Sequence, residues 1–256
     1  MGHGHGGKSD AGGKGAAAIL TPVVLTTGAD SVGTSGNDWI TATAATLNSG
    51  DSLVGGDGFD TISLSGSGVF NFSTLASFSG FERIQGGSAD QTIILKDGLS
   101  LTVDLGSGHN TLTAASGNTL VVTHGGTDTI TGGSGSLTVR AEAGVSTIIA
   151  GSGGSHVDVG YGTVNLTAGS GVDVIDIGHG SGQATVSGFA QGTDKIDVHE
   201  LHVSSYAELQ AVASITSSGG NTTITVTGGD TITLVGVSSV TESDFVFSST
   251  SSAMHC

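Results

Sequence analysis

Branched aliphatic residues recur every nine positions through the middle of the chain, each four positions after a glycine. From Leu105 to Thr185, nine blocks of nine residues follow one another without a gap. Glycine holds the fourth position in every block, and a branched aliphatic holds the eighth in all but the last, which has Ala184. Because side chains alternate along a strand, a three-residue strand presents one residue inward and its two neighbours outward. The pattern therefore predicts short strands with a buried aliphatic, separated by glycine turns of positive φ.

Two such blocks, or 18 residues, are enough to form one coil of a solenoid. Adjacent coils would stack about 4.8 Å apart and pair as parallel sheets. Each block is too small to bury its own aliphatic, so the stability of the array has to come from stacking between neighbours. The sequence therefore predicts an all-β fold, a parallel β-roll or β-solenoid of 18-residue coils.

A different pattern follows Phe189 and predicts a β-rich cap that carries one short helix. Residues 204–213 have the apolar spacing of a helix that begins after a serine cap. Two strand-like runs, 222–227 and 231–235, are joined by a predicted turn at Gly228-Gly229-Asp230. A cap of this kind would cover the last coil, because an open solenoid end exposes unpaired backbone and aliphatic side chains.

The segment before the regular array carries a specific motif. Residues 55–63 read GGDGFDTIS and resemble in full the G-G-x-G-x-D-x-U-x repeat of the calcium-binding RTX proteins, in which U is a large aliphatic. Residues 33–41 match the repeat except at its second position. A preceding run places Asp51 nine residues before Asp60. The resemblance implies a β-roll in which turn aspartates and turn carbonyls bind Ca²⁺ between coils.

This resemblance assigns the calcium ligands. They are Asp38, Asp51, Asp57, Asp60, Asp128, Asp173, Gly33, Gly55, Gly56 and Gly58. In the regular array the aspartate position is occupied by Asp only at Asp128 and Asp173. Because Ca²⁺ takes six to eight oxygen ligands, few ions are expected in the middle of the array. For these two aspartates a hydrogen bond within the turn is the alternative to calcium, and both interpretations stay open.

The resemblance also divides the chain into five segments. They are a flexible Gly/His-rich tail (1–20), a degenerate RTX-type solenoid section (21–104), the regular β-roll (105–185), a C-terminal cap (186–248) and a second flexible tail (249–256). The cap is similar to the target region that type I secretion machinery reads in exported RTX proteins. This similarity implies a secreted protein, extracellular or at the cell surface, that folds once it meets Ca²⁺ outside.

Charge and hydropathy exclude several classes of partner. The chain has 22 acidic and 6 basic residues, a formal net charge of −16. An acidic surface repels nucleic acid and anionic lipid, so neither is an expected partner. Runs of 18 or more apolar residues do not occur, which argues against a transmembrane helix.

Catalytic patterns are missing from the sequence, so we expect that the protein is not an enzyme. The run His199-Glu200-Leu201-His202 brings its second histidine one residue too early for the zinc-protease motif. His109, His124 and His156 occupy different columns of the repeat, which favours structural roles for them.

The leading hypothesis is therefore a secreted calcium-binding structural protein that folds and self-assembles outside the cell. A surface layer, a filament or a biofilm matrix component would fit, with other copies of the chain and the secretion machinery as partners. A secreted RTX effector that acts on membranes is one alternative. The other is ice binding through a Thr-x-Thr face. The outward pairs of that face are Thr111/Thr113, Thr129/Thr131, Thr147/Ile149, Asn165/Thr167 and Gln183/Thr185.

Overall fold

A computed structural model describes residues 22–178 and 180–248. There the chain winds into a parallel β-solenoid of about nine stacked coils, which confirms the predicted fold class. Its strands are numbered β1 to β24 in chain order, and most coils contribute one strand to each of two long sheets. The two predicted tails, 1–20 and 249–256, lie outside the described residues.

The first sheet has eleven strands, all of them parallel. In spatial order they are β1 (Val23–Val24), β3 (Trp39–Ala42), β5 (Thr61–Leu64), β8 (Arg83–Gln85), β10 (Leu101–Asp104), β12 (Thr119–Thr123), β14 (Leu137–Ala141), β16 (Ser155–Asp158), β18 (Asp173–Asp176), β20 (Lys195–Asp197) and β24 (Phe245–Val246).

The second sheet has ten strands. In spatial order they are β6 (Gly68–Asn71), β9 (Gln91–Ile94), β11 (Thr111–Thr113), β13 (Thr127–Thr131), β15 (Val145–Ile149), β17 (Thr163–Thr167), β19 (Gln183–Ser187), β23 (Thr231–Val235), β22 (Asn221–Val226) and β21 (Ala213–Ser218). Among these described strands, β22 alone is antiparallel to its neighbours, β23 and β21. A third, short sheet contains β2 (Ser31–Val32), β4 (Ser52–Val54) and β7 (Ser77–Ser79). One α-helix, α1 (Tyr206–Val212), and three 3₁₀ turns at Phe72–Thr74, His199–Leu201 and Glu242–Asp244 complete the fold.

The predicted 18-residue coil is present in the middle of the solenoid. Val103 pairs with Val121, which pairs with Val139, and each step along the chain is 18 residues. Coils nearer the N-terminus are longer, since Ile40 pairs with Ile62 and Ile62 with Ile84. The coil from Ile62 to Ile84 accommodates a 3₁₀ turn and two further strands, β6 and β7, and the aliphatic column of the first sheet nevertheless stays in register.

The aliphatic column predicted to point inward forms the core. Leu112, Ile130 and Ile148 are fully buried, and they pair directly across β11, β13 and β15. Their strand neighbours Thr111 and Thr113 are exposed. The alternation predicted from the nine-residue period is therefore confirmed.

The last block of the array departs from the predicted register. Leu166 pairs with Val186, two positions beyond Ala184, and Ala184 pairs with Val164. The connection that leads into β19 is two residues longer than its counterparts, and this shifts the whole strand. Both Ala184 and Val186 are buried, so the core stays continuous while different outward residues come into line.

The glycines at the fourth position of each block were expected to adopt a positive φ, but most of them are needed because stacked turns approach closely. Of the nine, only Gly126 and Gly144 have a positive φ. At Gly135, a β-carbon would collide with the carbonyl group of Gly117 in the preceding coil, and Gly153 meets Gly135 in the same way. Close approach of stacked turns therefore explains most of this column, because only glycine leaves room for the neighbouring backbone.

The C-terminal cap has the elements that its sequence predicts. Helix α1 begins after Ser205, whose hydroxyl accepts a hydrogen bond from the backbone N–H of Glu208 (3.3 Å). Strands β22 and β23 form the expected antiparallel pair, and the sequence analysis missed β21 beside them. The buried Asp230 fastens this hairpin to the solenoid by accepting hydrogen bonds from the N–H groups of Gly178 (2.8 Å) and Gly182 (2.9 Å). In the described part of the chain, helices are too short or too polar to cross a membrane.

Candidate functional site

Acidic side chains in the N-terminal turns stack from coil to coil. The carboxylate of Asp60 accepts a hydrogen bond from the backbone N–H of Asp38 (2.7 Å), and that of Glu82 accepts one from the N–H of Asp60 (2.7 Å). Each acid therefore satisfies the backbone of the preceding coil. The same arrangement places three negative charges in one column.

Asp60, the aspartate of the complete RTX-like motif, has a carboxylate oxygen without a partner. The side chain is fully buried, and its Oδ2 makes no hydrogen bond within the described residues. Burial raises the pKa of Asp60, the negative charges of Glu82 and Asp38 raise it further, and the hydrogen bond from the Asp38 backbone opposes them. Oδ2 and the carbonyl oxygen of Gly80 both lie against Gly55, where a β-carbon would overlap them. Two oxygen atoms thus converge on this turn, and Gly55 makes that approach possible.

Asp128 repeats this arrangement in the regular array. Its Oδ1 accepts hydrogen bonds from the backbone N–H (3.1 Å) and the side-chain amide (3.0 Å) of Asn110. Its Oδ2 is shielded from solvent and has no partner in the part of the chain that the structure covers. Burial raises the pKa of Asp128, although the hydrogen bonds from Asn110 act in the opposite direction.

The other predicted ligands are engaged differently. In Asp51 and Asp173 both carboxylate oxygens accept hydrogen bonds at 2.7–2.9 Å, so the turn hydrogen bond that the sequence left open for Asp173 is present. Asp38 accepts hydrogen bonds from the N–H and hydroxyl of Thr34, and Asp57 is exposed. The remaining turn glycines Gly33, Gly56 and Gly58 all have positive φ. Calcium ligation at these positions stays a prediction.

Sequence reasoning missed a second cluster, on the outer face of the first sheet. Asp176 on β18, Asp197 on β20 and His199 each bring one ligand atom within 4.8 Å of the others. Within residues 22–178 and 180–248, this is the one group of three His, Cys, Asp or Glu side chains whose ligand atoms lie that close together. Asp158 and Asp176 are 18 residues apart, which is the available sequence signal for one outward column, whereas Asp197 joins that column through a longer connection.

The outward residues of the second sheet form a surface of another kind, here called the threonine face. Direct pairing across nine consecutive strands gives a column of eight threonines and one asparagine. In spatial order they are Thr92, Thr111, Thr129, Thr147, Asn165, Thr185, Thr233, Thr223 and Thr216. Because of the two-residue shift in β19, Thr185 rather than Gln183 follows Asn165, and the column continues into the cap.

The two faces of the solenoid differ in charge. Across the ten strands of the second sheet, the described outward residues include no ionisable side chain. The outer face of the first sheet, here called the charged face, carries acidic, basic and histidine side chains. They are Arg83, Asp104, Arg140, His156, Asp158, Asp176, Lys195 and Asp197. On this face His124 lies between Asp104 (3.0 Å) and Glu142 (2.9 Å).

No protein-family model matches this chain, and no curated protein is similar enough to count as a relative. The fold therefore defines the class by itself. The protein is a parallel β-solenoid, a repeat architecture consistent with an RTX-type β-roll.

Proposed function

We propose that this chain is a secreted, non-enzymatic structural protein of the RTX type, which binds Ca²⁺ in its turns and assembles outside the cell. The observation that carries the proposal is the pair of buried aspartates, Asp60 and Asp128, each with a carboxylate oxygen that has no partner among the described residues. Burial of a charged group is costly unless a partner compensates it. A bound cation is such a partner.

Calcium suits these turns because it takes oxygen ligands from carboxylates and backbone carbonyls. At the first turn, Asp60 and the carbonyl of Gly80 would contribute, and at the second turn Asp128 would. When bound, the ion supplies positive charge that offsets the acidic column. An ion that binds only the folded chain stabilises it, which couples folding to the calcium concentration outside the cell.

Self-assembly is supported by the contrast between the two ends of the solenoid. Helix α1 and the β22–β23 hairpin pack on the C-terminal coils. At the other end of the described structure β1 is the edge strand of the first sheet, and among these residues Val23 and Val24 are 42% and 66% exposed. Exposed strand edges pair readily with other chains. Export by type I secretion machinery belongs to the same proposal and is supported by the likeness of the cap to an RTX target region.

The test is chemical unfolding of the full chain in Ca²⁺ and in chelator. Calcium at about one hundred times its dissociation constant is expected to add about 2.7 kcal/mol to the free energy of unfolding. Asp60→Asn is expected to lose much of this gain, because it removes the charged ligand. Asp97→Asn, at an exposed aspartate, is the matched control and should keep it. Sedimentation velocity on the same samples reports self-association.

The pH dependence of the free energy of unfolding, measured first in chelator and then in Ca²⁺, provides a second test. A raised pKa means that folded Asp60 and Asp128 hold protons which the unfolded chain has released. Stability in chelator is therefore expected to fall as the pH rises above the ordinary value of 3.8 and through the raised pKa. Calcium should flatten this decline, and Asp60→Asn should reduce it. Equal stability with and without Ca²⁺ at every pH would contradict the calcium proposal.

Ice binding is the second candidate, and the continuous threonine column favours it. Neighbouring strands place hydroxyls about 4.8 Å apart, and alternate residues along a strand lie about 6.6 Å apart. The hydroxyl groups therefore repeat regularly along the sheet, as binding to a crystalline lattice would require. The uncharged surface of a strongly acidic protein suits a neutral lattice better than a charged partner.

Thermal hysteresis measures this second function. Thr129→Tyr, in the middle of the column, is expected to abolish most of the hysteresis, because the ring would lift the flat face away from the lattice. Thr138→Tyr makes the same exchange on the charged face and should leave hysteresis intact. Hysteresis that is undetectable in the wild type, or unchanged in Thr129→Tyr, would exclude ice binding.

A further inference from the structure

Three aspartates are aligned on the charged face where the regular coils end. Asp158 pairs with Asp176, and Asp176 pairs with Asp197, across β16, β18 and β20. Like charges directly opposite each other destabilise a sheet. A column of this kind therefore needs positive charge close to it.

Histidines on either side of this column supply donors and ligand atoms. Asp176 Oδ2 lies 2.6 Å from His156 Nε2, and Asp197 Oδ1 lies 2.6 Å from His199 Nδ1. The second oxygen of Asp176, Oδ1, is shielded from solvent and unpartnered within the described residues. Each histidine thus holds one oxygen of an aspartate, while Oδ1 of Asp176 is left without a partner in the described structure.

The ligand atoms differ from those of a calcium site. Two carboxylates and an imidazole nitrogen suit Zn²⁺ and related divalent ions, whereas Ca²⁺ prefers oxygen ligands alone. The three ligand atoms lie within 4.8 Å of one another, so a small movement of the side chains would let one ion contact all of them. Three protein ligands leave a fourth position for water.

We propose that Asp176, Asp197 and His199 form a binding site for a divalent transition-metal ion such as Zn²⁺. His156 is a positioning residue: its bond to Oδ2 of Asp176 aims Oδ1 at the ion, as outer-shell partners of metal ligands do. The ion takes the place of the proton that His199 and Asp197 share.

The position of the site gives the ion a structural role. Asp176 ends the last 18-residue step of the first sheet, whereas Asp197 and His199 follow a longer connection. The bound ion ties the regular solenoid to the start of the C-terminal region. This inference does not depend on calcium in the turns, which lie elsewhere on the coil.

Titration of the metal-free full chain with ZnCl₂ by calorimetry tests the proposal, with Co²⁺ absorption as a readout of the ligand set. Asp176→Asn and His199→Ala are each expected to weaken the binding of one equivalent at least 100-fold. His124→Ala, at a histidine flanked by two acids on the same face, is the matched control and should leave binding unchanged. Binding of metal by histidines elsewhere in the chain contributes equally to all these titrations, so it cancels when a variant is compared with the wild type.

His156 needs a readout that separates positioning from folding. His156→Ala is expected to weaken Zn²⁺ binding by about 10- to 100-fold. His156→Gln should recover part of the loss, because its amide can still donate to Oδ2. Circular dichroism identifies any variant that fails to fold, and His199→Ala, at an exposed side chain, provides the safeguard. Wild-type stoichiometry and affinity in folded His199→Ala, or displacement of the ion by millimolar Ca²⁺, would overturn the proposal.

Discussion

Ile148→Ala is expected to lower the free energy of unfolding by about 2–5 kcal/mol, the range for removing a large aliphatic from a packed core. Ile148 is fully buried on β15, between Ile130 and Leu166 of the adjacent coils. Its loss leaves a cavity that these neighbours cannot fill, because the paired backbones hold them in place. Urea unfolding measures the change.

The next residue along the strand provides the control. Ile149 is 45% exposed on the threonine face, so Ile149→Ala is expected to change stability by no more than about 0.5 kcal/mol. Both variants remove the same atoms from the same strand. Equal losses of stability would mean that side chains of β15 do not alternate between core and solvent. The assignment of the central coils to a β-solenoid would then be wrong.

Gly135→Ala is expected to destabilise the protein by about 1–3 kcal/mol, the range for an overpacked site. The added methyl group would press on the carbonyl group of Gly117 in the coil below. Because that carbonyl belongs to backbone held by sheet pairing on both sides, the coils would have to separate locally. Thermal or urea unfolding again gives the magnitude.

Gly36→Ala is the comparison for this prediction. Its φ is not positive, and in the described structure its β-carbon would meet no atom within 4 Å. The exchange should therefore be neutral, or slightly stabilising because alanine restricts the unfolded chain. If Gly135→Ala were as harmless as Gly36→Ala, close stacking would not be the reason for the glycine column.

Three parts of the coil would then have separate functions in one molecule. In the part of the chain that the structure covers, the turns hold buried aspartates with unpartnered oxygens. There the charged face holds the Asp176–Asp197–His199 cluster, and the threonine face is uncharged. A solenoid allows this separation because each structural position of the coil repeats along its own line. A substitution in one line therefore leaves the other two intact, and this is what makes the matched controls informative.

The nine-residue period was sufficient to predict which residues face the core. Burial of Ile130 and Ile148 follows from strand alternation, which is a local property of the backbone. Helix α1 and the β22–β23 turn were predictable for the same reason, since a serine cap and a Gly-Gly-Asp turn act over a few residues.

Contacts between coils were harder to predict from the sequence. The shift that pairs Leu166 with Val186 comes from a longer connection, and loop length has no hydrophobic signature. The true constraint on Gly135 depends on the carbonyl of another coil. In the same way, Asp176 and Asp197 became neighbours only once the length of the loop between their strands was known.

From its amino acids alone, this chain was identifiable as a solenoid with an aliphatic interior and acidic turns, because those features depend on alternation and on turn chemistry over nine residues. Three-dimensional stacking set the register of each coil on the next. That register depends on the number of residues in each loop between strands. It therefore determined which threonines form one column, which carboxylates lack a partner and which histidine meets two aspartates.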